Sequence, residues 1–312
     1  MPADTTEASV PAKDGIYGWI PEEQYHLDRG SLPVSGAKLL LPPSCPAKFR
    51  HEQDNPRKPK KVWDFGHVAH RLILGKGAEI AVLDPAVCGL NKDGKESKAP
   101  TNTEMWKEAA AKARSRGQVP IHIDDYRKAE VMAEKVLTHP VCGPWFVSGE
   151  AEQSGYATDE SSGVRLRGRA DWITENLIVD VKTSITANPA ELKRAFWKFG
   201  YFMQDAWYRD LFHAATGAAL DFRFVVVEKE PPHLVTVIEY DQEAIAEGRR
   251  LNRQAIDLYN ACHTAGDWPG YTDGIVPLSL PYWALRDRDR AIYNEANDLE
   301  RNWDDFFSTG DN

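Results

Sequence analysis

Between residues 147 and 184 apolar and polar positions alternate with the two-residue period of a β-strand, interrupted by short polar clusters, so the stretch reads as a β-meander. Its last two strands flank Glu175-Asn176. With those residues as a hairpin loop, Thr174 opposes Leu177, and three steps further in Asp171 opposes Asp180. Asp171, Asp180 and Lys182 then share one face, with Arg167 and Arg169 on the same side of their strand. Ala170, Trp172, Val179 and Val181 take the other side and suit a core.

Upstream of the meander the period changes to that of helices. Residues 16–60 read as short helices broken by Pro42-Pro43 and Pro46, with Ser35 as a cap for the run that follows it. Trp63 to Leu74 has helical spacing and stops at Gly75. A strand and turn follow at 78–90, a polar loop at 91–102, a helix at 103–116, and a helix capped by Asp124 or Asp125 that runs through Thr138. Downstream, Asn188-Pro189 opens a helical stretch to residue 215, divided at Gly200 and stopped by Gly217. Two strands around Pro231-Pro232 and one long amphipathic helix follow, then a proline-rich crossing and a last helix. Strands and helices in this mixture predict an α/β fold, a central mixed β-sheet flanked by helices.

Composition adds further constraints. A polar, proline-containing start (1–15) and an acidic tail (296–312) predict disorder at both ends of a single domain at 16–295, with 91–120 as a loop-and-helix insertion. Cys45, Cys88, Cys142 and Cys262 are scattered, which argues against a zinc knuckle or disulfide framework and fits a reducing cytoplasm; with Cys262 alone near the C-terminus, no iron–sulfur cluster is expected. No apolar run approaches a membrane span. The formal charge of −9 disfavours a polyanionic partner only on average, because basic residues cluster at 57–61, at 165–169 and at 193–198.

Chemistry enters with the hairpin. Two carboxylates beside an amine are costly to bring together and are useful for holding a divalent cation. The pattern acid-x-Lys alone is common, and recurs here at Asp93-x-Lys95, Glu96-x-Lys98 and Glu191-x-Lys193. Only Asp180-x-Lys182 lies in an apolar β-run with a second acid in register. Around it, in order, stand His70 on the first strong helix, Glu152 at the head of the meander, and Gln204 and Tyr208, four apart on one helical face.

That ordered set, Gly66-x-x-x-His70, Glu152, Asp171, Asp180-x-Lys182 and Gln204-x-x-x-Tyr208, resembles the restriction-endonuclease-like PD-(D/E)xK nuclease superfamily and, within it, the RecB-like branch. The chain is most similar to RecE-type phage exonucleases. That likeness takes in Tyr25-His26, the text around 151–173, IVDVKTS, FMQDAWYRD and the closing Trp268-Pro269 with LSLPYWA. The Pro-Asp of the superfamily name is Ala170-Asp171 here, which keeps the carboxylate and alters only the strand bend.

The resemblance implies a metal-dependent hydrolase acting on double-stranded DNA ends, 5′→3′, leaving 3′ overhangs for annealing-type recombination. It implies Asp171 and Asp180 as main Mg²⁺ ligands (Mn²⁺ substituting), with His70 and the Val181 backbone carbonyl as further ligands. Glu152 would bind a second ion, and Lys182 would position the attacking water and offset phosphate charge. Gln204 and Tyr208 would shape the site; strand alternation, rather than the likeness, makes Arg167 and Arg169 candidate phosphate contacts. The resemblance also implies a ring-shaped homo-oligomer (a tetramer), a RecT-like annealing partner, and a phage or prophage origin in a bacterial cytoplasm. An endonuclease or nickase on the same core, and a non-catalytic DNA-binding assembly module, are the competing readings.

Overall fold

The structure, a computed structural model, describes residues 10–55, 62–283, 285, 286, 290 and 292. The basic cluster at 57–61 and the acidic tail lie outside the described residues. Contacts divide the chain into two units, Met1–Gly270 and Tyr271–Asn312. The second unit, taken by itself, has helical residues at 282, 283, 285 and 286.

The first unit opens with β1 (Gly15–Tyr17), α1 (Glu22–Leu27), β2 (Leu32–Pro33), α2 (Val34–Leu40), α3 (Pro46–Asp54) and α4 (Val62–Leu74). A small parallel pair follows, β3 (Ile80–Leu83) and β4 (Val119–His122), with α5 (Pro85–Cys88) and α6 (Glu104–Ser115) between them. Then come α7 (Ile123–Leu137), the meander strands β5 (Glu150–Thr158), β6 (Arg165–Ile173) and β7 (Leu177–Ser184), and α8 (Pro189–Lys198) with α9 (Tyr201–Thr216). Strands β8 (Asp221–Glu228) and β9 (Val235–Ile238) and the long α10 (Gln242–Ala265) complete it.

The main sheet runs β1-β5-β6-β7-β8-β9, with β2 added in parallel to β6. β7 and β8 are parallel, joined through α8 and α9, and the rest of the path is antiparallel. Strand β8, flanked by β7 and β9, is buried on both faces from Phe224 to Val227, which is why that stretch reads as an apolar run. Phe222, Phe224 and Val226 face a core with Phe49, Phe196, Trp207, Phe212 and Tyr259. Val225 and Val227 face a second core with Val68, Ile73, Met132 and Val136 from α4 and α7. The sheet is thus covered by helices on both sides, as the pattern predicted.

Several expectations are corrected. Residues 10–15 are anchored, because Arg165 donates to the carbonyls of Pro11, Ala12 and Lys13 and the Thr158 N–H donates to Asp14 at 2.8 Å. Strand β4 was masked in the sequence by Pro120, which a two-stranded edge tolerates. Ser35 lies inside α2, whose cap position is Pro33. The cap of α7 is His122, whose Nδ1 accepts the Asp124 N–H, not Asp124 or Asp125. Finally, Ala170 packs in the first core while Trp172, Val179 and Val181 pack in the second. The strand therefore changes phase at Asp171, and the expected four-residue core face does not form.

Candidate metal and nuclease site

The phase change marks the place where the sheet opens. The hairpin register is the one expected: the Thr174 N–H meets the Leu177 carbonyl at 2.8 Å, and Trp172 pairs with Val179 and Ile173 with Ile178. Beyond those two pairs β7 leaves β6 and follows β8 along its whole length. On the edge β7 vacates, β2 pairs only with Leu166 and Arg167. The segment from Gly168 to Asp171 is left without a strand on that side.

An unpaired strand edge inside a protein must find other partners. Here α9 supplies them. Trp207 Nε1 donates to the Arg167 carbonyl at 3.0 Å. The Tyr208 hydroxyl accepts the Arg169 N–H at 3.2 Å and donates to the Arg169 carbonyl at 2.9 Å. One helical turn earlier, Gln204 Nε2 donates to Asp180 Oδ2 at 2.5 Å. Helical spacing of four thus places one side chain on the open edge of β6 and the other on the carboxylate of β7. Trp207 was not singled out from sequence; it reads there as one more apolar position of the helix.

The opening also sorts the acids. The Val181 N–H donates to Asp171 Oδ2 at 2.7 Å, so the carboxylate takes the place of a ladder partner. Opposite, the β5–β6 ladder pairs Ala151 with Trp172 and Gln153 with Ala170 but skips the rung between them, Glu152 and Asp171. Glu152 has φ of 55°, a left-handed conformation that an L-residue other than glycine rarely adopts. From α4, His70 Nε2 lies 2.7 Å from the Val181 carbonyl oxygen and 3.6 Å from Asp171 Oδ2. Donor atoms of His70, Glu152 and Asp171 all fall within 4.8 Å of one another. Asp180 stands beside this trio rather than in it: 3% exposed, it is ion-paired to Lys182 and held by Gln204.

The electrostatics follow from crowding. Burial, then repulsion from Asp171, pushes the Glu152 carboxyl up to about 7. Asp171 is raised as well, mainly by burial, with His70 pulling it down and Asp180 pushing it up. Burial alone would lower the Lys182 ammonium, but Asp180 and then Asp171 outweigh it and hold the lysine charged. A divalent cation fits this donor set: two hard carboxylates, an imidazole and a carbonyl oxygen, in a place where negative charge is in excess. The sequence-predicted His70, Glu152, Asp171 and Val181 carbonyl are brought together, and Asp180, Lys182 and Gln204 form an adjoining set.

The two arginines are placed otherwise. Arg167 is 6% exposed, donates to the carbonyls of Asp28 and Ser31 and lies 3.3 Å from the Asp28 carboxylate. Arg169 donates to Ser154 and to the Ile20 carbonyl, and its guanidinium lies 4.4 Å from the centre of the Tyr25 ring. Both tie the N-terminal segment to β6. Arg167, being buried and committed, does not serve as the phosphate contact expected of it. His70, Glu152, Asp171, Val181, Lys182, Gln204, Tyr208 and the two arginines border a cleft of about 720 Å³, whose rim also carries His26, Ser35, Lys38, His67 and Lys76.

A family described as a PDDEXK-like domain of unknown function (DUF3799) matches residues 34–276, most of the chain. The chain belongs to this family. DUF3799 membership agrees with the mixed sheet and with the motifs, and places the protein in the PD-(D/E)xK superfamily. Among solved structures, a candidate exonuclease from Eubacterium rectale aligns over 85% of this chain and 97% of its own, at TM-score 0.54 and 13% identity, a likeness of fold. A phage-related exonuclease from Haemophilus somnus 129PT (15% identity, TM-score 0.30, 64% of this chain and 95% of its own) is similar only in part. So is the alkaline exonuclease LHK-Exo from Laribacter hongkongensis (13%, TM-score 0.26, 66% and 96%). No curated protein matches the sequence. Among the described residues, no helix of this DUF3799 protein is long and apolar enough to cross a membrane.

Proposed function

We propose that this DUF3799 protein is a divalent-metal-dependent exodeoxyribonuclease that degrades linear double-stranded DNA from 5′ ends. The observation that carries the reading is the wedge between β6 and β7, where His70, Glu152 and Asp171 converge next to an Asp180–Lys182 ion pair. His70, Glu152, Asp171 and the Val181 carbonyl would hold Mg²⁺ or Mn²⁺, with Asp180 at the margin. A bound divalent ion supplies neutralisation of phosphate charge and a water of lowered pKa.

The chain's own groups supply the rest. Lys182 remains an ammonium, so it acts as an electrostatic clamp on phosphate and water rather than as a base. Gln204 fixes the carboxylate of Asp180, which in turn aims Lys182. His70 Nε2 and the Val181 carbonyl oxygen, 2.7 Å apart, would both turn to the ion as ligands. Release of 3′ overhangs to a RecT-like annealing protein, and assembly as a tetrameric ring, belong to the same proposal and rest on the motif resemblance.

The test is a digest with Mg²⁺ or EDTA of a linear duplex labelled at either 5′ or 3′ ends, beside a covalently closed circle. Loss of the linear duplex in Mg²⁺ only, with 5′ label released first and the circle intact, is the expected result. Nicking or cutting of the circle would favour the endonuclease reading. Binding of the duplex without cleavage in Mg²⁺ would leave the assembly-module reading. Sedimentation of the intact protein reports the ring.

A further inference from the structure

Lys38 is a cation of the cleft that neither motif nor ion pair accounts for. It projects from α2 into the same cleft as Lys182, with its ammonium 5.3 Å from the centre of the Tyr201 ring; the Lys182 ammonium lies 5.1 Å from that centre. Its stem crosses Gly200, where an added Cβ would touch Lys38 Cε at 3.4 Å. Gly200, in the left-handed conformation at the start of α9, thus leaves a channel that directs the lysine inward. No carboxylate among the described residues pairs with Lys38, and the nearby Asp180 is already taken by Lys182 and Gln204.

A half-buried ammonium that faces a second cation without an anion of its own destabilises the fold that holds it. Its burial and the neighbouring Lys182 bring the Lys38 group down to about 7. A fold keeps such a group where a ligand supplies the missing negative charge. The cleft is lined by the candidate metal ligands, so the anion that enters it under the reading above is a DNA phosphate.

We propose that Lys38 is a substrate-phosphate ligand, taking a phosphate of the DNA strand that enters beside Lys182. The proposal rests on the nuclease reading for the identity of the anion, and on the placement of Lys38 for its role. The phosphate would be either the one at the 5′ terminus or one within the strand, and the chemistry of recognition is the same for both.

The test is direct binding of blunt duplex DNA, with and without a 5′-phosphate, in EDTA, by wild type, Lys38→Met and Lys38→Arg, at several salt concentrations. Lys38→Met keeps the apolar stem and removes the charge. It is expected to weaken binding about tenfold and to reduce the salt slope by about one. Without DNA the same variant melts no lower than wild type, since a lysine serving only the fold would show the opposite. Lys38→Arg restores most of the affinity. A loss confined to 5′-phosphorylated DNA assigns the terminal phosphate, and an equal loss on both duplexes assigns an internal one.

Unchanged affinity and slope in Lys38→Met, or no DNA binding by wild type, overturns the proposal. If wild type degrades DNA while Lys38→Met binds as tightly as wild type, the Lys38 role fails and the nuclease reading stands. If Lys38→Met binds more weakly but neither protein cleaves in Mg²⁺ or Mn²⁺, the nuclease reading fails and the phosphate site stands.

Discussion

Asp171 carries two duties in this wedge. One carboxylate oxygen accepts the Val181 N–H, and the group also stands within ligand reach of His70 and Glu152. Asp171→Asn keeps the shape and removes one of the two crowded charges. Cleavage in Mg²⁺ is then expected to fall by roughly 100-fold or more, the scale seen when metal ligands and their partners are lost. At the same time the Glu152 carboxyl should titrate lower than its present value of about 7, while staying above the ordinary range because burial is the larger cause. Carbon NMR of the labelled Glu152 carboxyl in the metal-free protein checks this; no movement would show that Asp171 does not reach it. At this scale the sequence made the hairpin register legible, with Trp172 on Val179 and Ile173 on Ile178. It could not show that the strands part just past Val179, leaving Asp180 to Lys182 and Gln204. Nor could alternation show that Arg167 is consumed by Asp28 and Ser31, since those partners lie far away in the chain.

Among the elements, α9 matters most, because it stands in for a missing strand. Tyr208→Phe would leave the N–H and carbonyl of Arg169 without their partner on the open edge of β6. The expected cost is about 1–3 kcal/mol of stability, read as a lower urea midpoint at unchanged slope. Helix α10 holds α9 in place by crossing it at Gly248, where an added Cβ would lie 2.4 Å from the Phe202 carbonyl oxygen. That neighbour is backbone and cannot turn aside. Gly248→Ala should therefore destabilise by at least roughly 1–3 kcal/mol and lower activity by shifting Gln204; wild-type melting would show that the helices have room to separate. The helices and the meander strands were legible from period and breakers. The short β1, β2 and β4 were not, because two to four residues carry too little pattern and Pro33 and Pro120 read as interruptions.

At the scale of the whole molecule, a net charge of −9 and the proposed DNA substrate are reconciled only if the acidic wedge is neutralised where the strand enters. The α/β class was legible because a sheet covered on both faces demands apolar inner strands, and Phe224 to Val227 of β8 supply such a run. The position of the wedge was not, since it depends on β2, β5 and β7 competing for the two edges of β6. The wedge gives the folded protein a predictable pH dependence. The folded-state pKa of Glu152, about 7, lies above its ordinary 4.5, so the protonated form favours folding. Its contribution is complete below about 4.5 and is lost as pH rises through about 7; Asp171, also raised, acts in the same direction. Asp205, raised to about 6 by burial, adds to the trend and has no part in the wedge. The metal-free protein should therefore melt at a lower temperature at pH 8 than at pH 5.5, with Glu152 accounting for on the order of 2 kcal/mol after allowance for its partial exposure. A divalent ion that binds the ionised carboxylates reverses the loss, so 5 mM Mg²⁺ (about that order, above a weak site's dissociation constant) should raise the melting temperature at pH 8 and scarcely at pH 5.5. Asp171→Asn should melt higher than wild type at pH 8 without metal and gain little from Mg²⁺. Scanning calorimetry of the two proteins at the two pH values, each with Mg²⁺ or EDTA, measures all of these differences. An equal Mg²⁺ response at both pH values, or one that survives Asp171→Asn, would place the ion somewhere other than between β6 and β7.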